Sequence, residues 1–179
     1  RTLAKNTDYT LVTSGLTDGC TFEVQFKDGV LKPNDVVEVA YSAEVNEYAV
    51  IGGTGNDNKT QLKYGEDKGT EWDETHTYVW QFDVFKYAMR DGQEIPLAGA
   101  QFVLYKTVND EKFYAQAANG KITGWTDDQK YATVFETPDN GEFVIAGLDA
   151  DTYYLEETKA PAGYEIDDTP QTVYLSGKE

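Results

Sequence analysis

From Thr77 to Tyr87 the chain reads TYVWQFDVFKY, so Tyr78, Trp80, Phe82, Val84 and Lys86 recur at every second position. In a β-strand, side chains two apart share a face. In a helix the same residues would be scattered around the circumference. This period predicts a half-buried strand, and a strand of this kind needs ladder partners and a second apolar layer to cover it. The rest of the sequence offers both. Phe22, Val24 and Phe26 alternate in the same way, as do Val37, Val39, Tyr41, Ala43 and Val45, and Asn58, Thr60, Leu62 and Tyr64 share one side. Further strands are predicted at residues 100–106, 132–136, 142–146, 152–158 and 171–175, bounded by Gly, Pro, Asn and Asp turns. No stretch sustains a helical period, and the fold class is all-β.

Two domains are predicted. After a Gly/Asn loop at Gly52–Asp57 and the third candidate strand, the sequence turns polar and charged (GEDKGTEWDET, Gly65 to Thr75) without an apolar set of its own. That composition reads as an interdomain linker, with Trp72 packing on a neighbour.

A net charge of −17 over 179 residues repels a nucleic-acid backbone or an anionic membrane, so neither is expected as a partner. The acidic pairs Asp127-Asp128 and Asp167-Asp168 lack the spaced ladder of a calcium loop. With one cysteine, Cys20, and one histidine, His76, the chain can form no internal disulfide and shows no zinc-ligand spacing. Neither a metal nor a cofactor is expected, and Cys20 reads as a small apolar residue. The sequence shows no leader, membrane span or sorting motif and reads as an excised part.

Two charged residues break into apolar faces. Lys86 shares one with Phe82 and Val84, and Glu157 shares another with Tyr153 and Leu155. Burial penalises the charged form of either residue type, favouring a neutral amine and a protonated acid. A neutral amine is a nucleophile, and a protonated acid donates a hydrogen bond that polarises an amide carbonyl. With an asparagine beside them, the amine would attack the carboxamide and expel ammonia, leaving a Lys–Asn isopeptide bond. The plainer alternative is that both residues sit at strand ends in solvent, or form a simple buried ion pair.

The strings IPLAGAQFVLYK (Ile95 to Lys106) and YYLEETKAPAGYE (Tyr153 to Glu165) resemble the collagen-adhesin B-type domain of Gram-positive pilins, the second being similar to the pilin E-box. GKITGW and DNGEFVIAGLDADTYYLEE are similar to backbone pilins of the SpaA type. The resemblance implies immunoglobulin-like β-sandwich domains in tandem. It gives Glu157 the role of the acid that promotes the isopeptide bond and Lys86 that of the amine. The family's acceptor asparagine lies on a last strand, and this sequence stops at Ser176-Gly177-Lys178-Glu179 without one, so the expected acceptor lies beyond Glu179.

Upstream, NTDYTLV and VVEVAYSAEVNEYAVIGGTGNDNKTQLKYG resemble the latter half of a collagen-adhesin A-type pilin domain. Asn58 there matches the family's acceptor asparagine, with its lysine partner upstream of Arg1. Asn58 is equally readable as an ordinary turn residue after Gly55. The expected domains are thus 1–68, part of an A-type pilin domain, and 77–179, a B-type domain lacking its last strand.

By resemblance the chain is a structural subunit of a surface pilus, extracellular and cell-wall-anchored. Its partners would be other pilin subunits joined by a sortase. A single-turnover cross-link does not make it an enzyme. The alternative is an adhesin or tip module that binds host extracellular matrix or glycan through loops at residues 109–118 or 121–130, with Phe113, Tyr114 and Trp125 exposed. A glycan hydrolase would need a convergent carboxylate pair, and no motif selects one.

Overall fold

The computed structural model describes residues 1–43, 45–46, 48–65 and 68–177. Contacts divide the chain into two compact units, residues 1–44 and 45–179.

In the first unit, β1 (Tyr9–Val12) and β2 (Glu23–Phe26) pair antiparallel, with Tyr9 opposite Phe26 and Leu11 opposite Val24. Phe22 meets Tyr41 edge-on at 5.1 Å. The strand predicted over Val37 to Val45 does not form among the described residues. An alternating segment becomes a strand only against a ladder partner, and among the described residues no third strand joins the β1–β2 sheet. Val37, Val39 and Tyr41 are left exposed.

The second unit begins with two small hairpins, β3 (Asn56–Thr60) with β6 (Asp73–Thr77), and β4 (Lys63–Tyr64) with β5 (Lys68–Gly69). The stretch read as a linker therefore carries β5 and most of β6, while its Glu66 and Asp67 lie outside the described residues. Then follow β7 (Trp80–Phe85), β8 (Tyr87–Arg90), β9 (Gln93–Pro96), β10 (Gln101–Val108), β11 (Glu111–Ala118) and β12 (Lys121–Thr126). After a 3-10 turn at Gln129–Tyr131 come β13 (Phe135–Glu136), β14 (Glu142–Leu148), β15 (Thr152–Lys159) and β16 (Gln171–Tyr174).

One sheet path runs β16-β15-β10-β11-β12-β14-β7, with β13 also beside β10. It folds on itself, so that Phe102 and Leu104 of β10 and Tyr153 and Leu155 of β15 share a core with Ile145 and Leu148 of β14 and with Phe82 and Val84 of β7. β10 is covered on its reverse face too. Val103 and Tyr105 pack there with Tyr114, Ala132 and Tyr154, which is why residues 100–105 form an apolar run with little alternation.

Three two-residue hairpins shape this unit. Asp91-Gly92 joins β8 to β9, Asn109-Asp110 joins β10 to β11, and Asn119-Gly120 joins β11 to β12, all six residues at positive φ. That pattern matches the right-handed twist of the flanking strands and selects Asn, Asp and Gly. The segments that the adhesin alternative takes as binding loops are consequently mostly strands β11 and β12. Tyr114 is buried, and Trp125 stacks on Tyr153 with centroids 5.8 Å apart. These aromatics are part of the core.

Candidate functional site

Along β7, Trp80, Phe82 and Val84 are half-buried while Gln81, Asp83 and Phe85 are exposed. Lys86 follows in the same parity. Its backbone is fixed from both sides, its N–H donating to the Gly141 carbonyl and its carbonyl accepting from Leu97 N–H, each at 2.9 Å. Gly141 turns at φ +73°, and a Cβ there would lie 2.5 Å from the Lys86 carbonyl oxygen. Only glycine allows so close an approach of two backbones.

Glu157 is the third inward residue of β15, opposite Phe102 where a bulge interrupts the β10 register. Its side chain is 3% exposed and that of Lys86 26%. Lys86 Nζ lies 2.9 Å from Glu157 Oε1 and 5.8 Å from the centroid of the Phe102 ring. The other oxygen, Oε2, accepts a 2.8 Å hydrogen bond from the backbone N–H of Asp167. Oε1 is fully buried and receives no well-directed hydrogen bond from the described residues, so the amine is close enough for ion pairing without being aligned as a donor.

Between them the two groups hold one ionisable proton. On Nζ it makes an ion pair; moved to Oε1 it leaves a neutral amine beside a protonated acid, with no change in net charge. The sequence thus placed Lys86 and Glu157 on apolar faces, and the fold brings them into contact. Sequence reasoning missed Gly141 and the Asp167 amide. Gly141 had a signal in the PDNG turn, whereas a backbone donor ten residues along the chain has none.

Asn58 lies elsewhere, in mid-strand on β3 opposite Thr75, whose hydroxyl donates to the Asn58 carbonyl at 3.5 Å. It is a strand residue, not a turn residue. On the opposite side of this hairpin, His76 Nδ1 is 2.8 Å from Asp57 Oδ1, and Lys59 Nζ is 3.1 Å from Glu74 and 3.6 Å from Asp57. The hydrogen bond from His76 holds the Asp57 carboxyl below its ordinary range. Asp57, Glu74 and His76 are all exposed, and the Lys59 ammonium already serves their carboxylates as counter-ion.

The profile of the SpaA prealbumin-like fold domain matches residues 85–179. Among curated proteins, the trypsin-resistant surface T6 protein of Streptococcus pyogenes serotype M6 is 24% identical, over 72% of this chain and 23% of its own length. Among solved structures, the group B streptococcus pilus 2b backbone protein superposes with a TM-score of 0.56 at 26% identity, covering 71% of this chain and 44% of that one. The T6 backbone pilin of serotype M6 Streptococcus pyogenes gives 0.49 at 23%, covering 74% and 27%. The chain spans less than half the length of each of these relatives. With the profile covering more than half of its residues, and on an all-strand sandwich of the kind that profile describes, the chain belongs to the SpaA prealbumin-like fold domain family.

Proposed function

We propose that this chain is a module of a structural pilin subunit on a Gram-positive cell surface, cross-linked internally by Lys–Asn isopeptide chemistry. The observation that carries the reading is the 2.9 Å approach of Lys86 Nζ to Glu157 Oε1 at a nearly solvent-free carboxylate. Membership of the SpaA family and the likeness to a streptococcal pilus backbone protein supply the setting.

In this reading Lys86 Nζ, once neutral, attacks the carboxamide carbon of an asparagine on a strand beyond Glu179. Glu157, protonated, hydrogen-bonds the carboxamide oxygen. The new C–N bond forms, the amine proton passes through Glu157 to the departing nitrogen, ammonia leaves, and Glu157 is regenerated. The reaction turns over once on the protein itself. Asn58 plays the acceptor role for a lysine upstream of Arg1, and residues 1–68 and 77–179 are parts of an A-type and a B-type domain. A covalent tie between strands restricts the unfolded chain as a disulfide does, without sensitivity to reductant. Polymerisation with other pilins through a sortase, and an extracellular wall-anchored location, follow from the same reading.

Intact-mass measurement under denaturing conditions tests it, on this chain and on one extended at both ends. The expected result is the sequence mass for this chain and the loss of one ammonia per domain for the extended one, abolished for the second domain by Lys86→Arg or Glu157→Ala. Retention of the full sequence mass by the extended chain would refute the cross-link.

A further inference from the structure

We infer that the backbone N–H of Asp167 divides the labour between the two oxygens of Glu157, fixing Oε2 as a permanent acceptor and leaving Oε1 as the oxygen that carries the catalytic proton. The inference rests on the isopeptide reading above and adds a positioning residue to it.

Three observations point the same way. Oε2 is held by the Asp167 N–H at 2.8 Å. Oε1 is buried, has no well-directed hydrogen-bond partner among the described residues, and faces Lys86 Nζ at 2.9 Å. The Glu157 side chain is 3% exposed, so solvent has little access through which to exchange the roles of the two oxygens. A backbone N–H can only donate. Were the acid proton on Oε2, that oxygen would meet the amide as a hydroxyl, a weaker acceptor than a carbonyl or carboxylate oxygen, and the proton would point away from the amine. With the proton on Oε1, Oε2 stays a carbonyl-type acceptor and the O–H is directed at the reacting groups. In the cycle, Oε1 gives a proton to the leaving nitrogen and regains one from the attacking amine, while the bond to Oε2 persists throughout.

The residues that bring Asp167 to this place are in the turn after β15. Tyr164 N–H donates to the Pro161 carbonyl at 3.1 Å, closing a turn, and the Asp167 side chain accepts from Thr169 N–H at 3.1 Å. That carboxylate is occupied with its own loop, so the main-chain amide, not the acidic side chain, acts on Glu157.

Two measurements test the inference. In this chain, the exchange rate of the Asp167 amide hydrogen is read by NMR in wild type, Glu157→Gln and Glu157→Ala. Gln keeps a carbonyl acceptor, so exchange should stay slow; in Ala it should accelerate by about tenfold or more, the loss of a hydrogen bond to a buried acceptor. Equal rates in all three overturn the inference. In the chain extended through an acceptor asparagine, Asp167→Pro, which removes the N–H, should slow ammonia loss by about tenfold or more relative to Asp167→Asn, which keeps both the N–H and a side-chain acceptor for Thr169 N–H. A folded Asp167→Pro that cross-links at the wild-type rate also overturns it. If Asp167→Pro fails to fold, the exchange rates decide. Failure of the wild-type extended chain to lose ammonia would instead sink the proposed function.

Discussion

The Lys86–Glu157 pair and the Lys59–Glu74 pair have nearly the same length, 2.9 and 3.1 Å, but stand in different solvents. Glu157 is 3% exposed, whereas Lys59 and Glu74 are 48% and 35% exposed. On the hairpin, water competes for both partners and screens their attraction, so the pair adds little beyond the ladder beneath it. In the sandwich, the carboxyl has lost its water and depends on one amine and one amide. Distance alone does not distinguish the two; burial does, since removing one partner strands a desolvated charge in the sandwich and a hydrated one on the hairpin.

The largest expected effect comes from separating the buried pair. Lys86→Met leaves a carboxyl without its amine and should destabilise the second unit by about 3 kcal/mol in chemical denaturation. Glu157→Gln should cost less, because the lysine is 26% exposed and reaches water. Equal losses would mean that burial is not what distinguishes the partners.

Gly141→Ala comes next. It combines a positive φ of 73° with a Cβ 2.5 Å from the Lys86 carbonyl oxygen, and strain of this kind costs about 1–3 kcal/mol. Lowered thermal stability together with slower cross-linking in the extended chain would tie the turn to Lys86. Unchanged stability would remove Gly141 from its support.

Tyr153 carries the contrast into pH dependence. Burial, then the nearby Asp151 and Asp149, push its hydroxyl above the ordinary 10.0. A raised folded value means that its contribution is full below pH 10.0 and is lost as the pH rises towards the folded value. Alkaline titration of wild type against Tyr153→Phe should show a loss of stability that the variant lacks, less the cost of its missing bond to the Asp149 carbonyl.

The smallest effects belong to the hairpin. Lys59→Ala should leave the melting temperature unchanged within error. Asp57 is held below 3.8, so its contribution is present above that pH and fades as the pH falls through the lower folded value. Amide exchange in β3 and β6 should report the fading locally, without unfolding of the sandwich. A large shift in either experiment would contradict the contrast.

The same alternation had opposite outcomes in two places. Trp80, Phe82 and Val84 formed the strand their period predicts because β14 pairs with them and a core covers them. Val37, Val39 and Tyr41 obey the same period, yet no strand forms over them among the described residues and they stay exposed. The Asn109-Asp110 and Asn119-Gly120 turns were visible as turn residues, but their two-residue length is what turns the predicted loops into β11 and β12. Hairpin register follows from turn length as much as from composition. Tyr114 and Trp125, which the adhesin alternative needs in solvent, were drawn inward by that register.

The sequence by itself determined which residues share a face, where the chain can reverse, and that a lysine and a glutamate would be carried into apolar surroundings. These follow from strand parity and from φ preferences, which are local properties of the backbone. Only the tertiary structure decided that Lys86 and Glu157 meet, that Gly141 and Leu97 fix the lysine, and that the Asp167 amide takes one carboxylate oxygen while the other faces the lysine amine. Those contacts join residues far apart in the chain, and their distances are set by how the sheet folds over its core, which no local pattern encodes.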